Sequence, residues 1–212
     1  MSGWTRIEGQ AVALADANID TDQLIPARFM SQPREDGYGG FLLHDVREAA
    51  PTHPLNHHTP QVLVTRRNFG SGSSREAAVY ALVDFGIRAV FAPSFGDIFA
   101  GNAVNNGLLP AQIDEHMIDV LIAGIGNNAG EAQVDLETAC AVIAGHQISF
   151  SLDPVHRQKL MNGWDDIDLT AQHTTEISAF RAARLAAHPW AWPTDTNQTD
   201  AKSVFNTGSK TK

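Results

Sequence analysis

Residues 62–86 read VLVTRRNFGSGSSREAAVYALVDFG and contain a complete strand–loop–helix pattern. The apolar run Val62–Val64 is typical of a buried strand, and the Gly/Ser-rich residues 70–74 predict a tight loop. The apolar residues that follow recur at intervals of three and four, which predicts a helix with one face on the core. Gly86 is a natural end for that helix.

Regular elements are predicted on both sides of this stretch. They are strands at 11–15, 89–91, 134–144 and 147–152, and helices from 97 to 107 and from 174 to 187. Ser94 stands three residues before Asp97 and is predicted to cap the helix there. The alternation of strands and helices between 62 and 107 predicts an α/β fold. We expect one domain over residues 1–192 and a disordered polar tail over 193–212.

The composition narrows the classes of function. The chain has 212 residues, of which 43% are hydrophobic and 18% charged, as in ordinary globular proteins. Lys and Arg number 15 against 24 Asp and Glu, and the net charge of −9 argues against nucleic acid or an anionic membrane as a partner. The single cysteine, Cys140, excludes an internal disulfide and an all-cysteine metal site. We see neither a signal-peptide pattern nor a membrane-spanning apolar run, so a cytoplasmic protein is expected.

The serine loop, residues 68–75, carries the strongest chemical signal. Its glycines, Gly70 and Gly72, permit backbone angles that deliver N–H groups at a helix N-terminus, where the helix dipole favours anions. Ser73 and Ser74 add hydroxyls, and Arg75 adds a guanidinium that can bind a carboxylate through two hydrogen bonds. A serine hydroxyl becomes a base at neutral pH only if N–H dipoles and a cation stabilise its alkoxide. The loop therefore predicts a carboxylate site with a reactive hydroxyl beside it.

Two other interpretations of this loop stay open. Ser73 and Glu76 match a capping box, in which the serine satisfies a helix N–H group, and this role is compatible with catalysis. A loop that binds phosphate would need a lysine that is absent here.

A second polar motif, Asp20–Asp22, precedes an apolar run. Its carboxylates can orient a catalytic group or pair with a cation, but a simple turn before a strand is the alternative. His53, His57 and His58 lack the spacing of metal ligands and are expected in a solvated loop. Cys140 is expected in the core.

Five ordered segments of the chain resemble those of isopropylmalate isomerase small subunits, which belong to the aconitase superfamily. The resemblance runs from about Gly9 to about Ala183 and rests on residues 18–26, 72–76, 92–99, 105–110 and 161–167. It implies a swivelling β/β/α domain of the aconitase C-terminal type. It also implies a hydro-lyase of leucine biosynthesis that isomerises 2-isopropylmalate and 3-isopropylmalate by dehydration and rehydration.

The resemblance also assigns roles to individual residues. By position, Ser73 is the base that removes and returns the Cα proton, Arg75 binds a substrate carboxylate, and Asp22 matches an active-site aspartate. Ser74 is a supporting donor, and Gly72 lies at the substrate. A partner large subunit is implied to carry a 4Fe-4S cluster, which this chain with one cysteine cannot hold by itself. The other expected partner is a small dicarboxylate substrate.

This sequence departs from the family pattern at three places. Family members usually have Cys where Ser71 stands and His where Ala77 stands. In the loop 33–41 the family usually has Arg at the position of Glu35, whereas here Arg34 stands one place early.

The loop 33–41 is Gly-rich, so it can close over a ligand. Tyr38 can offer an apolar face to an alkyl branch, and Arg34 is a candidate for a second carboxylate. The alternatives to isopropylmalate are another branched malate, such as methylmalate, dimethylmalate or a homocitrate-like acid, or a non-catalytic swivel domain that only binds.

Overall fold

The structure is a computed structural model that describes residues 2–192. The tail over 193–212, predicted to be disordered, lies outside the described residues. The chain divides into two compact units, one that ends at Leu169 and one that begins at Thr170. Among residues 2–192, no helix combines the length and the apolar character needed to cross a bilayer.

The first unit contains seven strands and most of the helices. The strands are β1 Arg6–Leu14, β2 Val62–Thr65, β3 Ala89–Ala92, β4 Leu109–Gln112, β5 Ala129–Asp135, β6 Cys140–Ile143 and β7 His146–Ser149. The helices are α1 Thr21–Leu24, α2 His44–Ala49, α3 Glu76–Phe85, α4 Asp97–Asn105, α5 Glu115–Ile125 and α6 Pro154–Asn162. Helix α7, Asp166–Ala171, begins in the first unit and ends in the second. Single 3-10 turns lie at Ala27–Phe29, Arg34–Asp36, Gly39–Phe41 and Pro54–Asn56. The second unit contains α8, Thr174–Ala187, at the bounds predicted for it, and a 3-10 turn at Pro189–Ala191.

The seven strands form one sheet in the order β4-β3-β2-β1-β5-β6-β7. From β4 to β1 neighbouring strands are parallel, and from β1 to β7 they are antiparallel. Val12 of β1 therefore pairs with Leu63 on one side and with Ala129 on the other. This mixed sheet with its helices confirms the predicted α/β fold.

Apolar residues cover both faces of the parallel strands. On one face, Val12, Leu63 and Val90 join a buried cluster that includes Leu82 of α3. On the other face, neighbouring strand residues pack with the apolar side of α5, including Ile118 and Leu121. Burial on both faces explains why β2 and β3, the two inner strands of the parallel part, read as continuous apolar runs in the sequence.

The structure corrects four local expectations from the sequence, one of which, capping by Ser73, the sequence leaves open. Strand β1 begins at Arg6, earlier than expected. The predicted strand 134–144 is two strands, because the Asp135 carboxylate accepts hydrogen bonds from the N–H groups of Glu137 and Thr138 and turns the chain.

The other two corrections concern helix caps. The N-cap of α4 is Gly96 rather than Ser94, whose hydroxyl accepts a hydrogen bond from the Asn68 N–H group instead. The N-cap of α3 is Arg75, which makes no side-chain cap bond, so Ser73 does not cap that helix.

Candidate active site

The loops that follow β1 and β2 meet at the carboxyl edge of the parallel strands. The Gly70 N–H group donates to the Ile19 carbonyl at 2.8 Å, and the Thr21 N–H group donates to the Ser71 carbonyl at 2.9 Å. These bonds place the Asp20–Asp22 motif directly beside the serine loop. Open α/β sheets commonly bind ligands outside the carboxyl ends of their parallel strands.

The loop after β3 holds the serine loop from its other side. The Phe69 N–H group donates to the Ser94 carbonyl at 3.1 Å, and the Gly96 N–H group donates to the Phe69 carbonyl at 2.9 Å. The serine loop therefore lies between two neighbouring loops, and main-chain hydrogen bonds fix it to both.

Two glycines are required for this path. Gly70 has φ +71°, and a Cβ atom there would lie 2.2 Å from the ring of Phe99. Gly72 has φ +98°, a conformation that side chains disfavour. The close approach of the loop to α4 thus depends on Gly70, and the turn toward the serines on Gly72.

The backbone of Ser73 is anchored while its side chain stays exposed. Its carbonyl accepts from the Thr21 hydroxyl at 3.1 Å and from the Arg75 N–H group at 2.7 Å. The side chains of Ser73 and Ser74 are exposed. Since Arg75 supplies no side-chain cap, the first N–H groups of α3 are left for another acceptor.

Thr21 is a site residue that the sequence did not reveal. It is 1% exposed, and its hydroxyl bonds to the serine loop. Its partner, Ser73, lies far along the chain, so no local pattern could have indicated this contact.

The two aspartates of the Asp20–Asp22 motif have different partners. Asp20 caps α1 in a capping box, because its carboxylate accepts from the Gln23 N–H group and the Gln23 side chain accepts from the Asp20 N–H group. Asp22 forms an ion pair with Arg75. The Arg75 side chain is 23% exposed and that of Asp22 59%, so the pair lies at the surface of the site.

The structure places Tyr38 in the interior rather than beside the serines. Tyr38 is 6% exposed, its hydroxyl donates to the Gln32 carbonyl, and its N–H group donates to Asp84. Arg34 begins a 3-10 turn, and its side chain is not among the described parts. The roles of both residues toward substrate stay predictions, and for Tyr38 they require the loop to move.

The residues of this chain do not fit a 4Fe-4S cluster. The one thiol, Cys140, is half-buried in the antiparallel part of the sheet, where its sulfur donates to the Thr138 carbonyl. Among the described residues, His44, Asp45 and Glu48 are grouped closely enough to hold a metal ion, but they offer no sulfur. Asp45 is moreover paired with Arg28, which lowers the pKa of its carboxyl group to about 2.

The known proteins that resemble this chain in sequence and in structure carry closely related names. The aconitase C-terminal domain matches residues 1–116. A 3-isopropylmalate dehydratase small subunit from Shewanella amazonensis is 43% identical over 194 residues, which cover 86% of this chain and 96% of that protein. The small subunit from Shewanella oneidensis is 44% identical over 195 residues, with the same coverage. A crystal structure of 3-isopropylmalate dehydratase from Methanocaldococcus jannaschii aligns with a TM-score of 0.63 and 26% identity, over 82% of this chain and 98% of that one.

Proposed function

This chain belongs to the 3-isopropylmalate dehydratase small-subunit family, and we propose from that premise that its serine loop supplies the base and the carboxylate-binding groups of the reaction. It is the small subunit of a hydro-lyase of leucine biosynthesis that interconverts 2-isopropylmalate and 3-isopropylmalate by dehydration and rehydration. The observation that carries the proposal is the position of Ser73 between two anchored loops, beside a guanidinium and an uncapped helix start.

Ser73 is the proposed base. Its hydroxyl must lose a proton before it can remove the proton from the substrate carbon, and an alkoxide needs positive charge and N–H dipoles around it. The N-terminus of α3 and the guanidinium of Arg75 supply both. The same oxygen, once protonated, returns the proton when water adds back to the double bond.

Arg75 is the proposed carboxylate-binding residue, and Asp22 is proposed to orient it. Asp22 contacts the guanidinium through one terminal nitrogen, whereas an arginine side chain carries five N–H donors. The donors that remain can bind a substrate carboxylate in a two-bond arrangement. Ser74 and the backbone at Gly72 lie next to this position and are proposed as further donors.

The small-subunit family implies a partner large subunit. We propose that the partner carries the 4Fe-4S cluster, because this chain has a single cysteine that lies in the sheet. The exposed side chains of Ser73 and Ser74 support the proposal that the partner also covers the serine loop and excludes water from it. We further propose that the assembled enzyme acts in the cytoplasm on a dicarboxylate.

The test is co-expression with the large subunit and an absorbance assay for the alkene intermediate. Wild-type enzyme should act on isopropylmalate, and Ser73→Ala should lower kcat by about 100-fold or more. The Ser73 hydroxyl has no hydrogen-bond partner among the described residues, so the free energy of unfolding should change by less than about 0.5 kcal/mol. Ser149→Ala, at an exposed serine on the edge strand β7, is the control and should match the wild type. A Ser73→Ala enzyme with wild-type kcat would refute the assignment.

A further inference from the structure

A side-chain hydrogen bond joins the end of α4 to the start of α3. The Asn106 amide donates to the Glu76 carboxylate at 2.8 Å and to the Asn102 carbonyl at 2.9 Å. Asn106 is the C-cap of α4, and Glu76 is the first residue of α3, directly after Arg75. The contact therefore joins α3, the helix that follows the serine loop, to the C-terminal end of α4, which has no role in the proposed reaction.

The negative charge of Glu76 can interfere with the binding of an anionic substrate, and the contact with Asn106 affects this interference. A carboxylate in the first turn of a helix is attracted to the same N–H groups that would bind a substrate carboxylate. Glu76 is exposed, so without a partner its side chain could turn toward them. The amide of Asn106 gives the carboxylate another donor and holds it toward α4.

The neighbouring asparagine has a different set of contacts. The Asn105 carbonyl oxygen accepts from Lys159 at 2.6 Å, and its amide donates to Asp166 at 3.1 Å. Lys159 is only 4% exposed and also pairs with Asp166 at 2.5 Å. Asn105 thus bonds the end of α4 to α6 and α7. Of these two asparagines, only Asn106 bonds to α3. The two neighbouring asparagines therefore make a matched comparison. The contacts of Asn105 stabilise the fold, whereas the contact of Asn106 affects the start of α3 at the candidate site.

We infer that Asn106 is a positioning residue for substrate binding, because it keeps the Glu76 carboxylate away from the N–H groups at the start of α3. The inference rests on the proposed function, in which Arg75 receives a substrate carboxylate, and it adds the N–H groups at the start of α3 as further donors to that carboxylate. The interaction between a carboxylate and a helix N-terminus contributes about 0.3–1 kcal/mol. A Glu76 carboxylate that competes for this interaction should therefore weaken substrate binding roughly two- to fivefold.

The experiment compares variants of the assembled enzyme. Asn106→Ala should raise KM for isopropylmalate about two- to fivefold and leave kcat within about twofold. Adding Glu76→Gln to Asn106→Ala should restore KM, since the competing charge is gone. The pair Asn106→Asp with Glu76→Gln exchanges donor and acceptor and should also restore it.

Asn105→Ala is the matched control. It should lower the free energy of unfolding, because the buried Lys159 loses a partner, and leave KM unchanged. An Asn106→Ala enzyme with wild-type KM, or a KM rise that Glu76→Gln does not reverse, would overturn the inference.

Hydrogen exchange separates this inference from the proposed function. The amides of Glu76 and Ala77 in the assembled enzyme should exchange more slowly in Asn106→Ala than in the wild type or Asn105→Ala, because the released Glu76 carboxylate accepts hydrogen bonds from them. A wild-type enzyme without activity on isopropylmalate would count against the proposed function, and the exchange rates would still decide whether Asn106 keeps the Glu76 carboxylate away from these N–H groups. Unchanged exchange in Asn106→Ala would contradict that role.

Discussion

Gly70→Ala tests the claim that close packing against α4 fixes the serine loop. The added Cβ atom would lie 2.2 Å from the nearest carbon of the Phe99 ring, a distance that requires the ring or the loop to move. Phe99 is 3% exposed and packs edge-on against Phe69, with ring centroids 5.4 Å apart. The ring is therefore enclosed, and the loop must shift.

The cost has two parts. An alanine at φ +71° is destabilised by about 1–2 kcal/mol relative to glycine. An extra carbon in a packed core typically costs about 1–3 kcal/mol. We expect the free energy of unfolding to fall by about 2–5 kcal/mol, a large fraction of the roughly 5–15 kcal/mol that stabilises a typical protein.

Urea denaturation of the purified chain measures this change. Gly101→Ala is the control, because Gly101 is exposed in the interior of α4 and an added Cβ atom there would meet no atom within 4 Å. That variant should be more stable than the wild type by about 0.5–1 kcal/mol. In a Phe99→Leu background, Gly70→Ala should cost less, since the smaller side chain leaves room for the new carbon. A Gly70→Ala variant within 0.5 kcal/mol of the wild type would refute the reasoning.

The other predictions concern charge and specificity. Arg75→Lys should raise KM sharply, because an ammonium group cannot reproduce two parallel hydrogen bonds to a carboxylate, and unchanged steady-state kinetics would remove Arg75 from the site. The Arg6 guanidinium beside Asp135 lowers the pKa of that carboxyl to about 2, so its stabilising effect is present above the unfolded pKa and is lost as pH falls through about 2. A carboxyl titration should show this midpoint, and Arg6→Gln should return it toward 3.8. Exchanging Arg34 with Glu35 places arginine at the family position and should change the ratio of kcat/KM for isopropylmalate and methylmalate; a constant ratio would exclude the loop from specificity.

The sequence alone predicted the central strand–helix–strand unit, but it did not predict the residues that cap the N-termini of its helices. Strands β2 and β3 are covered on both faces, so their apolar runs are unambiguous, whereas β4, which contains Pro110 and ends at Gln112, was not predicted. A capping box forms at Asp20–Gln23, whereas the similar spacings at Ser73–Glu76 and Ser94–Asp97 do not form one. For Ser73 the difference is tertiary, because the Thr21 hydroxyl holds the Ser73 carbonyl and the helix starts later.

The candidate site shows the same division. The glycines, serines and arginine of one loop indicate their chemistry by their spacing. The pairing of Arg75 with Asp22 depends on the parallel alignment of β1 with β2, which no local pattern contains. Tyr38 was predicted to offer an apolar face to an alkyl branch because it lies in a Gly-rich loop, yet its ring is buried and its hydroxyl is bonded.

The position of β1 in the sheet has a consequence for synthesis on the ribosome. Its residue Val12 meets Leu63 early, but its other neighbour, Ala129, emerges much later. At about 5–20 residues per second, the central strand presents an unpaired edge for about 3–13 seconds. Such an edge is a template for pairing with other chains. We expect β5 to close it in a late, slow folding step, and nascent chains that end before Asp135 to aggregate.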